Sequence, residues 1–182
     1  MRIGSRAVGA VTTALALAIT TPAHAAPGDE PAPDEPAAAC LEDVKYLYRA
    51  HRGNLAEQAA AEAAFAGTDN ERIHEIARML DEDHTAFDRK VTALAEAHDV
   101  TLPPRPNQRQ RDDLAAVVAL RGRQFDRGWL ELQTAAHEQT LDHIGRVREG
   151  GCAPDVHAAA EQAEPVVSAH LEAVEEASRS VR

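Results

Sequence analysis

Residues 73–94 read IHEIARMLDEDHTAFDRKVTAL, and their apolar positions recur at the spacing of one face of a helix. This periodicity predicts an amphipathic helix whose apolar stripe packs into a core. One position of the stripe holds His84 where an aliphatic residue would be usual. The stripe consists of Ile73, Ala77, Leu80, His84, Phe87, Val91 and Leu94.

Two further predicted helices also carry a histidine on the apolar stripe, namely His137 and His170. An imidazole buried in a packed core loses its contact with water and needs another partner. The three rings could therefore share one metal ion, or each could form a separate hydrogen bond in the core. The stripes are Leu130, His137, Leu141 and Ile144 on one helix, and Val156, Ala160, Ala163, Val167, His170, Val174 and Ala177 on the other.

The rest of the chain also favours helix, because no useful window alternates with a period of two residues and good helix formers dominate. We predict four long helices, with a short helix inside the link between the second and the third. Pro103, Pro104 and Pro106 break the chain within that link. The predicted helices cover about residues 41–66, 70–98, 108–120, 123–149 and 154–178.

The sequence contains two cysteines, Cys40 and Cys152. In an oxidising compartment such a pair usually forms one disulfide. A bond between them would close a long loop and stabilise the fold by ~4–5 kcal/mol on the chain-entropy model. The alternative is a pair of thiolate metal ligands, although their spacing is not that of a zinc motif.

The link over residues 99–122 decides the predicted topology. It is long enough to run the full height of a bundle, so the third long helix can begin at the end where the first one finishes. This ferritin-type arrangement brings residue 152 close to residue 40, and a disulfide requires Cα atoms within ~7 Å of each other. We therefore predict an all-α, ferritin-like four-helix bundle with a long crossover that carries a short extra helix.

The N-terminal residues predict export. Arg2 and Arg6 precede an apolar run over residues 7–19, and a small-x-small pattern ends at Ala25. The run is too short for a permanent membrane span. Prolines among acidic residues and alanines at 26–39 predict a disordered linker. We expect a signal peptide at 1–25, a linker at 26–39, one folded domain at 40–182, no membrane insertion, and a secreted or periplasmic location.

The charge of the chain restricts its partners. The formal net charge is −11 at pH 7. Such an acidic surface argues against nucleic acid and against anionic lipid as partners, because both repel it. It is typical of a solvated surface that keeps a protein dispersed. The sequence indicates no particular protein partner.

Several short motifs follow one another in order between about residues 43 and 176. They are Asn54-Leu55-Ala56-Glu57, Met79 with Asp83-His84, Val100-Thr101-Leu102-Pro103, Gly122, Phe125-Asp126, His137, and Pro165 with His170-Leu171. Their order and spacing resemble those of a bacterial family, domain of unknown function 4142, in the ferritin-like group. The resemblance implies an exported ferritin-like bundle and implies no activity. The chain departs from the family at Ala136, where an Asp that could partner His137 is frequent.

The predicted topology also sets the heights of candidate ligands. At ~1.5 Å per residue, Glu57, His137 and His170 lie within about 5 Å of one level when counted from the cysteines. His84 fits this level less well, because a hairpin folded about Gly67 and Thr68 places it opposite His51.

Two kinds of metal centre can be compared. A di-iron centre is disfavoured, because Thr134 and Val167 stand where such proteins place a glutamate three residues before each histidine. A mononuclear site would suit Zn²⁺ or Cu²⁺. Asp83 or Asp126 could orient one of its imidazoles. The predicted ligands are Glu57, His84, His137 and His170, with His51 in reserve, whereas His74, His143 and His157 are predicted on the surface.

The sequence favours a binding role over an enzyme, because it contains neither a Gly-x-Ser-x-Gly motif nor a phosphate-binding glycine loop. The first hypothesis is an exported helical bundle that binds one transition-metal ion in its core. The alternative is a metal-free structural or interaction protein of the cell envelope, whose histidines only form core hydrogen bonds.

Overall fold

The computed structural model describes residues 38–181, which fold as five helices without any strand. The all-helical prediction is therefore confirmed, and each helix begins and ends within two residues of its predicted bounds. The predicted signal peptide, residues 26–37 of the predicted linker and Arg182 lie outside the described part. The helices are α1 (Leu41–Gly67), α2 (Glu71–Ala97), α3 (Gln108–Val118), α4 (Arg123–Gly150) and α5 (Pro154–Ser180).

Local chemistry explains where three of these helices begin. The side chain of Asn70 accepts a hydrogen bond from the Arg72 amide and caps α2. A reciprocal pair of hydrogen bonds between Asn107 and Gln110 caps α3. Gly122 precedes α4 with φ of 53°, a left-handed conformation that glycine adopts without steric cost.

Contacts at the two ends of the fold show which way α4 runs. Cys40 and Cys152 form a disulfide with their Cα atoms 5.6 Å apart, which joins the start of α1 to the residues that follow α4. At the other end, Asn70 Nδ2 donates to Asp126 Oδ2 at 2.9 Å, which ties the α1–α2 turn to the start of α4. Helix α4 is therefore antiparallel to α1, and the disulfide prediction is confirmed.

The four long helices pack in neighbouring pairs. Both α1 and α5 pack against α2 and α4, while α3 lies against α4 and α1. His98 Nε2 at the end of α2 hydrogen-bonds Asp155 Oδ1 at the start of α5, 2.9 Å away. The link from α2 to α4 therefore starts near the disulfide end and finishes near the α1–α2 turn. Within residues 38–181, no helix combines the length and the apolar character that crossing a membrane requires.

The core consists of two apolar clusters with a buried polar layer between them. One cluster lies towards the α1–α2 turn and contains Phe125 and Trp129. The other lies towards the disulfide and contains Tyr46 and Ile144. All seven stripe positions of α5 named from the sequence are buried. The buried side chains of the polar layer are Asn54, Glu57, His84, Gln133, His137 and His170.

Candidate metal centre

Three imidazoles from three helices meet in the polar layer. The centroid of the His84 ring lies 5.5 Å from that of His137 and 5.5 Å from that of His170. The His137 and His170 centroids are 5.4 Å apart. The exposed fractions are 4% for His84 and 1% for each of the others. The rings therefore form a nearly equilateral triangle that is closed to solvent.

Each ring uses one nitrogen to bind an oxygen atom. His84 Nδ1 lies 3.0 Å from Asn54 Oδ1, His137 Nδ1 lies 2.8 Å from the Gln133 carbonyl oxygen, and His170 Nε2 lies 2.9 Å from Asp83 Oδ2. All three oxygens are acceptors, so the ring nitrogens that face them carry the protons. The second nitrogen of each ring is then an acceptor with a free lone pair.

These second nitrogens lack partners. His84 Nε2, His137 Nε2 and His170 Nδ1 are buried and have no hydrogen-bond partner among residues 38–181. One ring nitrogen of each histidine lies within 4.8 Å of one from each of the others. A buried acceptor without a donor costs ~1–3 kcal/mol. The triangle therefore gathers three unsatisfied acceptors, to which one positively charged species can bind.

The electrostatic environment keeps two of the rings neutral. Burial lowers the pKa of His84 well below 6.5, and the neighbouring His137 and His170 lower it further. Burial also lowers the pKa of His137 to about 4, although its hydrogen bond to the Gln133 carbonyl opposes the shift. Neutral imidazole is the form that coordinates a metal ion. His84 and His137 are therefore in the protonation state that metal coordination requires at neutral pH.

Residues 28–177 match the family described as domain of unknown function (DUF4142). The chain belongs to this family. The resemblance stated from the sequence motifs is therefore confirmed. No curated protein and no solved structure matches the chain.

In this DUF4142 chain the register of the α1–α2 hairpin explains why His84 joins the triangle. Asn54 and His84 bind each other and lie at equal distances in sequence from Asp69, at the centre of the turn. His51 instead binds Asp88, its Nδ1 lying 2.7 Å from Oδ1, and so stays away from the triangle. The expected pairing of His84 with His51 was wrong, because the hairpin folds closer to Asp69 than to Gly67.

The structure leaves Glu57, the fourth predicted ligand, outside the triangle. Within the described residues, the ligand group that includes His84 contains only the three histidines, whose ligand atoms lie within 4.8 Å of one another. Glu57 Oε1 lies 4.0 Å from His137 Nδ1, on the ring edge that already binds the Gln133 carbonyl. Glu57 and Gln133 also line a cavity between α1, α3 and α4. Burial raises the pKa of Glu57 to about 8, and a hydrogen bond from the Gln133 side chain limits the rise.

The two candidate orienting carboxylates have different positions. Asp83 binds His170, as described above, whereas Asp126 accepts a hydrogen bond from Asn70 at the α1–α2 turn. His74 and His157 were predicted on the surface, and both are partly buried. Their rings bind the backbone carbonyl oxygens of Thr68 and Arg148, respectively. His143 is also partly buried.

Sequence reasoning missed the two groups that orient His84 and His137, namely Asn54 and Gln133. Gln133 stands four residues before His137, and Asn54 stands three residues before Glu57, so each pair shares a helix face. Such spacing predicts which polar residues share a buried layer, but not the partner of His84, which lies on another helix, or that of His137, which is a backbone carbonyl.

Proposed function

We propose that this protein binds one transition-metal ion, Zn²⁺ or a copper ion, between the imidazoles of His84, His137 and His170. The observation that supports the proposal best is the set of three buried nitrogens without hydrogen-bond partners among the described residues, on three rings that each bring one nitrogen within 4.8 Å of the others. A metal ion replaces all three missing partners at once. Hydrogen bonding alone would need a separate donor for each nitrogen.

The size of the triangle fits a single ion. Three imidazoles on one ion with metal–nitrogen bonds of ~2.0–2.1 Å would have ring centroids about 5.2–5.5 Å apart, for tetrahedral or trigonal angles. The measured separations of 5.4–5.5 Å lie in this range. Little movement of the three helices is therefore needed to accept an ion.

The outer contacts of the rings also support metal binding. Histidine ligands of metal ions usually donate their other N–H group to a carboxylate, a carbonyl oxygen or water. Here the acceptors are a carboxylate on Asp83, a carbonyl on Gln133 and an amide oxygen on Asn54. These contacts fix the tautomer and the direction of each free nitrogen before an ion arrives.

The proposal places this site in a ferritin-like four-helix bundle that is exported from the cytoplasm. Helices α1 and α5 each pack against both α2 and α4, which supports the bundle. The long link between α2 and α4 is its crossover. The Cys40–Cys152 disulfide supports an oxidising compartment, as does the predicted signal peptide. Glu57 lies behind His137, so a role as ligand would require its side chain to turn past the ring.

The test is the metal content of the purified protein and of a His137→Ala variant, measured by mass spectrometry after dialysis. We expect about one ion per chain in the natural sequence and none in the variant, together with a lower melting temperature. His143→Ala, on the same helix outside the triangle, is the control and should keep the ion. Loss of stability in His137→Ala from a protein that held no metal would favour the metal-free structural role.

A further inference from the structure

The ligand set of the triangle contains no anion. In the part of the chain that the structure describes, no carboxylate and no thiolate joins the three imidazoles within 4.8 Å. Structural zinc sites are usually closed by a fourth protein ligand, and catalytic ones keep a water molecule in that position. The triangle supplies nitrogen ligands alone, so compensation for the charge of a bound ion must come from outside the three rings.

A fourth ligand of a bound ion would have to come from outside the three rings, and a water molecule is one candidate. A buried water needs about two to four polar partners. The three free nitrogens would be used by the ion itself, and the other buried atoms of this polar layer without a partner among residues 38–181 are Asn54 Nδ2, Glu57 Oε2 and Gln133 Oε1. Asn54 and Glu57 both lie at ring nitrogens other than the free ones, and Glu57 and Gln133 line the cavity between α1, α3 and α4. The interior of the triangle therefore favours an ion that is stable with three ligands.

The cost of burying charge separates the candidate ions. In the Born description this cost rises with the square of the charge, so a divalent ion costs about four times as much as a monovalent one. The carboxylate hydrogen-bonded to His170 belongs to Asp83, whose side chain is 44% exposed. Its single negative charge is equal and opposite to that of a monovalent ion.

On these grounds, and resting on the proposed function, we propose that the triangle of His84, His137 and His170 is a three-coordinate site for monovalent copper, Cu⁺. Copper accepts imidazole ligands. As a closed-shell ion, Cu⁺ is stable with about two or three ligands, whereas Cu²⁺ prefers a tetragonal set that this triangle does not offer. Zn²⁺ would lack both a fourth ligand and charge compensation.

The experiment is a set of anaerobic titrations of the purified, metal-free protein with Cu⁺, Zn²⁺ and Cu²⁺, each buffered by a competing chelator. We expect about one Cu⁺ per chain and an affinity for Cu⁺ at least ~100-fold above that for Zn²⁺. His170→Gln should weaken Cu⁺ binding at least ~100-fold, because it removes one of three ligands. His143→Ala should leave it unchanged.

X-ray absorption on the unmutated protein gives a second measurement that does not depend on the folding of a variant. We expect three nitrogen neighbours of Cu⁺ at about 2.0 Å and no sulfur neighbour. Tighter binding of Zn²⁺ or Cu²⁺ that His170→Gln abolishes would overturn the Cu⁺ assignment and keep the metal site. Absence of binding for every ion, or binding that His170→Gln does not change, would overturn the proposed function as well.

Discussion

Two buried polar groups, Asp43 and the histidine triangle, lie in the same fold and differ in how fully their hydrogen bonds are satisfied. Asp43 is fully buried, and its carboxylate accepts backbone N–H groups of Cys40, Cys152 and Ala153 at 2.8–3.2 Å. The triangle leaves one nitrogen unpaired on each ring within residues 38–181. Complete hydrogen bonding is typical of a structural contact, whereas an incomplete set indicates a place for a ligand.

The same comparison separates the triangle from the second ligand cluster among residues 38–181. Cys40, Asp43 and Cys152 also bring ligand atoms within 4.8 Å of one another. Their sulfurs are already joined in the disulfide, and both carboxylate oxygens accept N–H groups. This cluster joins the start of α1 to the α4–α5 turn and has no free ligand atom to offer.

The largest effect on stability is expected when the Asp43 side chain is removed. This substitution tests whether Asp43 is a structural contact. Asp43→Ala leaves the amides of Cys40, Cys152 and Ala153 without their acceptor. We expect the free energy of unfolding to fall by about 3–5 kcal/mol, from unsatisfied donors and a lost charge-assisted contact. Urea denaturation measures this change.

The metal site gives the control for the same variant. Metal stoichiometry at saturating ion should stay unchanged in folded Asp43→Ala protein, because Asp43 lies far along the helices from the triangle. If the Asp43→Ala variant folds but no longer binds the ion, the two polar groups act as one unit. The distinction between a structural contact and a ligand site would then be wrong.

The pH dependence of the metal-free protein tests the triangle and its neighbour Glu57. The pKa values of His84 and His137 are lower in the folded state than 6.5, so below about pH 6.5 the unfolded chain binds protons that the folded chain does not. Stability falls as the pH drops through this range, by about 1.4 kcal/mol per unit for each uncompensated proton.

Glu57 changes the stability with pH in the opposite direction to the two histidines. Its pKa rises from 4.5 to about 8, so the folded chain keeps a proton that the unfolded chain releases, and this stability is lost as the pH rises towards 8. Between about pH 4.5 and 6.5 the Glu57 proton offsets one of the two histidine protons. We expect maximum stability near pH 6.5 in urea denaturation with a chelator present. Glu57→Gln should flatten the alkaline side, and an unchanged alkaline side would contradict the prediction.

The smallest effect is expected at the outer contact of His170. Asp83→Asn keeps an oxygen for the ring N–H but removes its charge, so metal affinity should fall about 10–100-fold with little change in stability. Asp88→Asn is the matched control, because Asp88 sits on the same helix and binds His51 instead. Competition titration checks both, and equal losses in the two variants would show that Asp83 has no specific role.

Much of the fold followed from local pattern. The stripe of α5 was predicted residue by residue, because helical periodicity alone decides which face of an amphipathic helix is apolar. The disulfide was predicted because the sequence has two cysteines and because the link between α2 and α4 is long enough to bring them together. The partner of His84 did not follow, because the centre of the α1–α2 turn sets which residues of the hairpin lie opposite each other.

The sequence by itself determined the helices, their apolar faces and the presence of three histidines on those faces, since each depends on residues near one another in the chain. Only the tertiary structure decided that one nitrogen from each of three rings lies within 4.8 Å of the others and that Glu57 lies on the Nδ1 edge of His137. The physical reason is rotational. A shift of one residue turns a side chain by about 100° around its helix, so the meeting of three rings depends on how all three helices are packed together.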